Sequence, residues 1–559
     1  MITPVRWMRT AEFLTRCWLE SHRHGPKLRA IERVVAENEP QPQVGDRPVL
    51  IFNASTRTWG LSQNAAYSLL LSWGLRLAGV PVRHFVCMAG MEQCTLGTKR
   101  TRLKAPPPCG WCTRLSRQLY PEGIRWELET PKDGWQSFPT LNEHQSFESL
   151  RQVEVDGLKL GELCFPSLSW ALRRINIPDT QEVRSLYKKY LRAAMHIARA
   201  FESLLERSPP QAVVVFNGVT FPEAVARQVV LRRGIPVITH EVGVQPFSAF
   251  FTHGEATAYP IDIAEEFSLA SGEEVLLDEY LSQRFQGDFS MAGVRFWPEM
   301  HGLDGATLAK MARFEQTIAV FTNVIFDTSQ VHSNEVFPDM FDWLGRVVDY
   351  ASRHPETLFV IRAHPDELRP GKEAQETVEN FLREDGALER ANINFVPSRK
   401  FISSYDLIRR SKLVFVYNSS IGLEGTLLNR VVLCGGASRY SRYPTVYFPQ
   451  EVEEYFRLAD SFLTQDDPRP PQAFIAEARK FSYIQHFMSS LDFSPFLRAH
   501  PKFPGYVELA DFNPLDLHPD RCLEIKIVRD GILGNKEMFY DRNDVSKRHR
   551  AGSEESISS

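Results

Sequence analysis

From Ile318 to Gly436 the chain alternates short apolar runs with amphipathic stretches of helical period, separated by brief polar loops. IAVFTNVIF (318–326) reads as a strand. Residues 338–353 read as a helix with Met340, Leu344, Val347, Val348 and Ala351 on one face. LFVIRA (358–363) is a second strand and NINFVP a third, short one. KLVFVYN (412–418) follows the helix SSYDLIRRS, and VVLCGG (431–436) follows the helix SSIGLEGTLLN. Strands that alternate with helices across short loops pair in parallel, because each crossover helix returns the chain to the same end of the sheet. Both faces are then covered, which is why these strands read as continuous apolar runs.

The same pattern occurs earlier. RPVLIFNAS, the helical NAAYSLLLSWGLRLAG and VPVRHFVC have the spacing of a βαβ unit. Residues 181–207 form a long helix, with Val183, Leu186, Tyr190, Ala194, Ile197, Phe201 and Leu204 at helical spacing. AVVVFNG (212–218), the helix FPEAVARQVVLRRG and the strand IPVITHE, ending at Glu241, complete the set. Residues 255–310 are mixed and acidic and read as the junction. The expected class is α/β: two doubly wound, Rossmann-like domains facing a cleft, with a Cys-rich insertion over residues 85–115. The expected boundaries are a helical extension over 1–46, a first domain over 47–300, a second over 301–480, and a helical return with a disordered tail over 481–559.

Composition narrows the class of function. Of 559 residues, 43% are hydrophobic and 24% charged, which excludes a mainly disordered chain. Net charge is −4, without the basic excess of a nucleic-acid reader, so no nucleic-acid partner is expected. No apolar run reaches the ~18 residues of a membrane span, and no secretory signal is visible, so the expected location is cytoplasmic. Arg6, Arg9, Arg16, Arg23, Arg29 and Arg33 stud the N-terminal helices. That pattern fits a helix packed on the first domain, or peripheral contact with the anionic inner face of a membrane.

In open α/β sheets ligands sit outside the carboxyl ends of the strands, so strand-end residues are the candidates. Ser419 and Ser420 open a helix, where hydroxyls and backbone N–H groups suit a phosphate; a serine N-cap is the plain alternative. His364, before Pro365, ends another strand of the same sheet and offers an imidazole donor; a structural histidine is the alternative. Glu424 lies in the first turn of the serine helix, where the dipole favours an acid and a ribose can be gripped. Arg439 and Arg442, among tyrosines after the last strand, suit an anionic sugar or a solvated interdomain loop. In the first domain Glu241 can take a proton from an attacking hydroxyl, or it can pair with Arg232 or Arg233; Asn217-Gly218 also ends a strand.

His364-Pro365 after one strand, and Ser419-Ser420 followed by Gly422-Leu423-Glu424 after a later one, resemble the C-terminal half of capsule polysaccharide glycosyltransferases. The likeness is to β-Kdo transferases and to bacterial sialyl- and polysialyltransferases, best over 318–450 and weaker over 47–250. It implies the two-domain GT-B fold, a CMP-activated sugar donor, a glycan or glycolipid acceptor and no catalytic metal. It also implies that His364, Ser419 and Ser420 hold the donor phosphate. The sialyltransferase-like group carries an acidic pair followed by glycine that supplies the base. The nearest match here is His240-Glu241-Val242-Gly243, with a histidine in the first acidic place. Two other readings stand beside a transferase. One is a sugar-nucleotide epimerase or polyol-phosphate transferase on the same fold. The other is a non-catalytic polysaccharide assembly or export protein.

Four of the eight cysteines, Cys87, Cys94, Cys109 and Cys112, crowd into one aperiodic, Pro-rich stretch that ends in CxxC. The spacing fits a structural zinc site with four thiolate ligands. An iron–sulfur cluster uses the same ligands, and buried thiols beside a CxxC turn are the plain alternative. Cys164 and Cys434 read as ordinary buried thiols.

Overall fold

The two alternating stretches become two sheets. A computed structural model describes residues 24–54, 60–138, 141, 146–287, 301–503 and 505–549. In chain order the strands of these two sheets are β1 (Val49–Asn53), β2 (Val82–Cys87), β3 (Arg125–Leu128), β4 (Ala212–Phe216), β5 (Val237–Val242), β6 (Ser248–Thr252), β7 (Gln316–Phe321), β8 (Thr357–Arg362), β9 (Ile393–Val396), β10 (Leu413–Val416), β11 (Val431–Cys434) and β12 (Leu491–Asp492). The first sheet has the order β12-β6-β5-β4-β1-β2-β3, the second β11-β10-β7-β8-β9. The second is parallel throughout. The first is parallel from β3 to β5, with β6 antiparallel to β5 and β12 antiparallel to β6 at one edge.

Both sheets are doubly wound. In the first, β1 is followed outward by β2 and β3 on one side and by β4 and β5 on the other; in the second, β7 is followed by β8 and β9 on one side and by β10 and β11 on the other. The strand order therefore reverses between β1 and β4 and between β7 and β10. Neighbouring crossovers diverge there and leave a crevice at the carboxyl edge. Every residue of β1, β8, β10 and β11 is buried. Side chains alternate between two core layers, with Leu358 and Val360 on one face of β8 and Phe359 and Ile361 on the other.

The expected helices form, Gln181–Arg207 and Met340–Ser352 among them. The expected strand 318–326 stops at Phe321, and Ile325 and Phe326 are buried from a loop instead. Helix Leu160–Leu172 escapes the sequence pattern because Pro166 and several small residues interrupt its apolar spacing. Helix 24–38 buries Leu28, Ile31 and Val35 against the first sheet and leaves Arg29 and Arg33 outside. Arg6, Arg9, Arg16 and Arg23 lie outside the described residues. Among the described residues no helix is long and apolar enough to cross a membrane.

After the second sheet the chain returns to the first. β12 extends that sheet, and Ile525 and Val528 of helix Leu523–Gly534 join its core. The tail expected to be disordered is helical over 542–549. Val545 is buried, and Arg548 pairs with Glu524 and, at 2.6 Å, with Asp492. Two ion pairs and one apolar anchor offset the ordering of this polar segment.

Candidate functional site

A cavity of about 800 Å³ opens at the carboxyl edge of the second sheet, over its reversal point. That volume suits a nucleotide with a sugar attached. Thr322 and Asn323 after β7, His364 after β8 and Asn418, Ser419 and Ser420 after β10 all line it. Thr257, Ala258 and Pro260 from the first half form part of the wall.

Local contacts hold these side chains in place. The His364 backbone is extended, and its Nδ1 accepts the Asp366 amide N–H at 3.1 Å. The ring proton is therefore assigned to Nε2, leaving a donor for a ligand. Burial holds the imidazole below its ordinary pKa, with neighbouring Arg362 adding to the effect and Asp366 opposing it, so the ring is neutral at pH 7. Asn418 straps down the loop after β7. Its backbone N–H donates to Asn323 Oδ1 at 3.3 Å, its Nδ2 to the Ser329 carbonyl at 3.1 Å, and its Oδ1 accepts from Gln330 at 2.9 Å.

Ser420 occupies the N-cap position of helix Ile421–Leu427, yet its side chain makes no capping hydrogen bond. The plain capping alternative is thus not what the geometry shows, and the hydroxyl is exposed. The helix is only seven residues long, so hydroxyl groups matter here more than a helix dipole. Tyr440 Oη donates to the Ser419 carbonyl at 2.5 Å. A Cβ on Gly422 would meet that same oxygen of Tyr440 at 2.4 Å, so only glycine lets the tyrosine brace the serine turn.

Arg362 is the unexpected member. It ends β8 with only 3% of its surface exposed, and it lines the cavity. Its side chain meets the Ser404 hydroxyl, and among the described residues no carboxylate lies within ion-pair distance. Burial pulls its pKa down to about 10. A buried guanidinium without an anion is costly, and an anionic ligand removes that cost. Its signal in the sequence is a charge closing an apolar strand two residues before His364, a spacing that puts both on one side. Arg284 had no such signal. From helix Ser271–Phe285 it reaches across the halves to pair with Glu424 at 2.6 Å. Glu424 therefore lines the cavity already engaged.

Arg439 and Arg442 also line the cavity. Arg439 lies over the Tyr259 ring at 4.3 Å, and Arg442 donates to the Ile261 carbonyl and approaches Asp262 at 3.6 Å. The loop after β11 is thus a clasp between the halves. On the far lip Arg173 stacks on Phe326 at 4.8 Å and Arg100 donates to the Glu373 carbonyl at 3.1 Å.

Glu241 lies outside the cavity lining, near the end of β5, one strand beyond the reversal point of the first sheet. Its carboxylate accepts from Asn217 Nδ2 at 3.0 Å, from Asn64 Nδ2 at 3.3 Å and from the Val242 amide at 2.9 Å. Burial pushes its pKa above the ordinary carboxylate value against these three donors, with Asp327, a cavity residue, adding to the rise. Neither Arg232 nor Arg233 is its partner; they bind the Asp156 carbonyl and Glu206. His240 points the other way. It is fully buried beside Phe251, hydrogen-bonds Ser68 at 3.1 Å, and burial pushes it down to about 3. It is a neutral core residue, not a substitute for the missing acid.

The four clustered cysteines line one small, separate cavity of about 30 Å³. Cys164 and Cys434 are buried thiols.

Residues 300–444 match the family described as capsule polysaccharide biosynthesis protein. The matched stretch contains the second sheet and, with it, Arg362, His364, Ser419, Ser420 and Arg439. The resemblance to capsule polysaccharide biosynthesis proteins thus falls on the half that carries the large cavity. No curated protein matches the chain. Two solved structures from Thermosulfurimonas dismutans are similar, KpsC beta Kdo 2,4 transferase and KpsC beta Kdo 2,7 transferase. Each is 12% identical, covering 54% and 56% of this chain and 84% and 85% of theirs, with TM-scores of 0.34 and 0.31. The UDP-GlcNAc 2-epimerase of Methanocaldococcus jannaschii, solved with UDP-GlcNAc and UDP, is 8% identical. It covers 78% of this chain and 99% of its own, with a TM-score of 0.25.

Proposed function

We propose that the protein is a glycosyltransferase of surface or capsular polysaccharide synthesis. In this reading it moves a sugar from a nucleotide donor, with a CMP-sugar favoured, to a hydroxyl of a glycan or glycolipid. The observation that carries it is Arg362, a buried cation with no carboxylate within ion-pair distance among the described residues, opening into the same cavity as His364, Ser419 and Ser420. A donor phosphate fits that set. Arg362 supplies the charge, His364 Nε2–H and the serine hydroxyls supply donors, and the leaving nucleotide is stabilised as its negative charge grows.

The sugar then projects from the second half towards the first. Glu241 is the proposed base. Its raised pKa brings it nearer working pH, and two asparagines fix its orientation. Closure of the halves through the Arg284–Glu424 pair and the Arg439 and Arg442 clasp brings the acceptor hydroxyl to it. Catalysis on this plan needs no metal.

Titrating the purified protein with CMP, CDP, UDP and GDP tests the donor site. Preference for CMP, with turnover of a CMP-activated sugar, supports the reading. Binding of none of the four removes it and favours a polysaccharide assembly protein.

A further inference from the structure

The Cys-rich insertion builds a cavity of its own, which takes no part in the donor site. Cys87, Cys94, Cys109 and Cys112 all line its space of about 30 Å³, and apart from Thr113 the other lining residues are apolar. Each end of the insertion brings sulfur from a different kind of backbone. Cys87 closes β2 at the carboxyl edge of the first sheet. Cys94 sits in a turn where the Gly97 amide donates to its Sγ at 3.2 Å. A Cβ at Gly97 would stand 2.8 Å from that sulfur, so glycine is required for the approach. Cys109 and Cys112 lie in the first turns of helix Cys109–Leu119. Four sulfurs that line one apolar pocket make a soft ligand set for a cation.

We propose that this cavity binds one zinc ion through the thiolates of Cys87, Cys94, Cys109 and Cys112. Four S–H protons pass to solvent as four Zn–S bonds form, and no oxidant or reductant is needed. Among the described residues the one set of three such ligand atoms within 4.8 Å of one another is His24, His500 and Glu508. The four sulfurs stand wider and must turn inward on the metal, a side-chain rotation open to the half-buried Cys109 and Cys112. The histidine set is the poorer ligand. His500 Nδ1 accepts the amides of Lys502 and Phe503, each at 3.1 Å, so its proton sits on Nε2, the atom facing Glu508 at 3.9 Å. The zinc would fix the insertion that carries Arg100 to the far lip of the cleft, where it meets the Glu373 carbonyl.

The test uses the full chain without a polyhistidine tag, grown in zinc-supplemented medium, with metals measured by mass spectrometry. About one zinc per chain is expected in the wild type and in Cys164→Ser, with at least a tenfold loss in Cys109→Ser/Cys112→Ser. A zinc-free wild type, zinc retained by the double variant, or a visible iron–sulfur absorption band each overturns the proposal. Should the double variant fail to fold, mercurial titration of the wild type decides. Zinc released in step with thiol modification supports the site, and zinc released with the thiols still unmodified overturns it.

Discussion

The carboxyl edges of the two sheets carry similar kinds of side chain in opposite states of satisfaction. At the first edge Glu241 has three hydrogen-bond donors, and Asn217 spends its Oδ1 on the Val219 and Thr220 amides. At the second edge Arg362 has no carboxylate within reach among the described residues, His364 keeps Nε2–H for a ligand, and Ser420 makes no cap. A closed network holds one group at a fixed place and pKa. An open set is costly when empty and binds strongly when filled. The first edge therefore suits a residue that acts on substrate, the second a surface that grips it.

The largest expected effect is at Arg362. Arg362→Met keeps length and apolar contact but removes the charge. Nucleotide affinity should fall by about 3–5 kcal/mol, the scale for breaking a buried charged contact, while the melting temperature holds or rises. A structural arginine would give the reverse, lower stability with affinity kept. Calorimetry and thermal melts on the same sample separate the two.

Next is Glu241→Gln, which preserves shape, keeps one acceptor oxygen for Asn64 and the Val242 amide, and gives up the bond from Asn217. Turnover should drop by roughly 10²-fold, about 2.7 kcal/mol, with donor affinity unchanged. Turnover near wild type would move the base to another carboxylate, with Asp327 the first to test, and would blur the contrast between the edges. His364→Ala should weaken nucleotide binding by about 1.5–3 kcal/mol, as expected for one hydrogen bond to a charged group, and leave folding intact.

The smallest effect separates ligand histidines from core ones. Burial pushes both His240 and His486 down to about 3. As pH falls below the ordinary histidine value of ~6.5, the unfolded chain takes up protons that the folded chain refuses until about pH 3. Stability is therefore lost on acidification, by about 2 kcal/mol per histidine between pH 6.5 and 5. Urea melts at pH 7 and 5 measure it. His240→Gln should remove this ring's share of the histidine part, and an unchanged pH dependence would show that this ring can be protonated in place.

Much of this was legible in the sequence because buried parallel strands are apolar on both faces. LFVIR, LVFV and VVLC announce themselves, and the residues just after them fall where ligands bind. β6 and β12 were not legible, since a short antiparallel edge strand looks like loop. The site divides in the same way. His364 and the serines follow strands, so topology finds them. Arg284 sits on a helix in the acidic junction, and only the approach of the two halves gives it Glu424 as a partner. His240, which stands in the first acidic place of the partial motif match, is core for a related reason. Neighbours along a strand face opposite ways, so one reaches the core while Glu241 reaches the edge.

The return of the chain to β12 and helix Leu523–Gly534 makes the second sheet, in chain order, an insert within the first half. Both ends of the second module are therefore anchored in one body. A gene cut after the second sheet would leave the first without an edge strand and a packing helix. Exchange of the second module between relatives would instead require two crossovers, one in the junction before β7 and one between β11 and β12. Chimaeras joined at those two points are the natural route to a new second sheet and cavity on an unchanged first half.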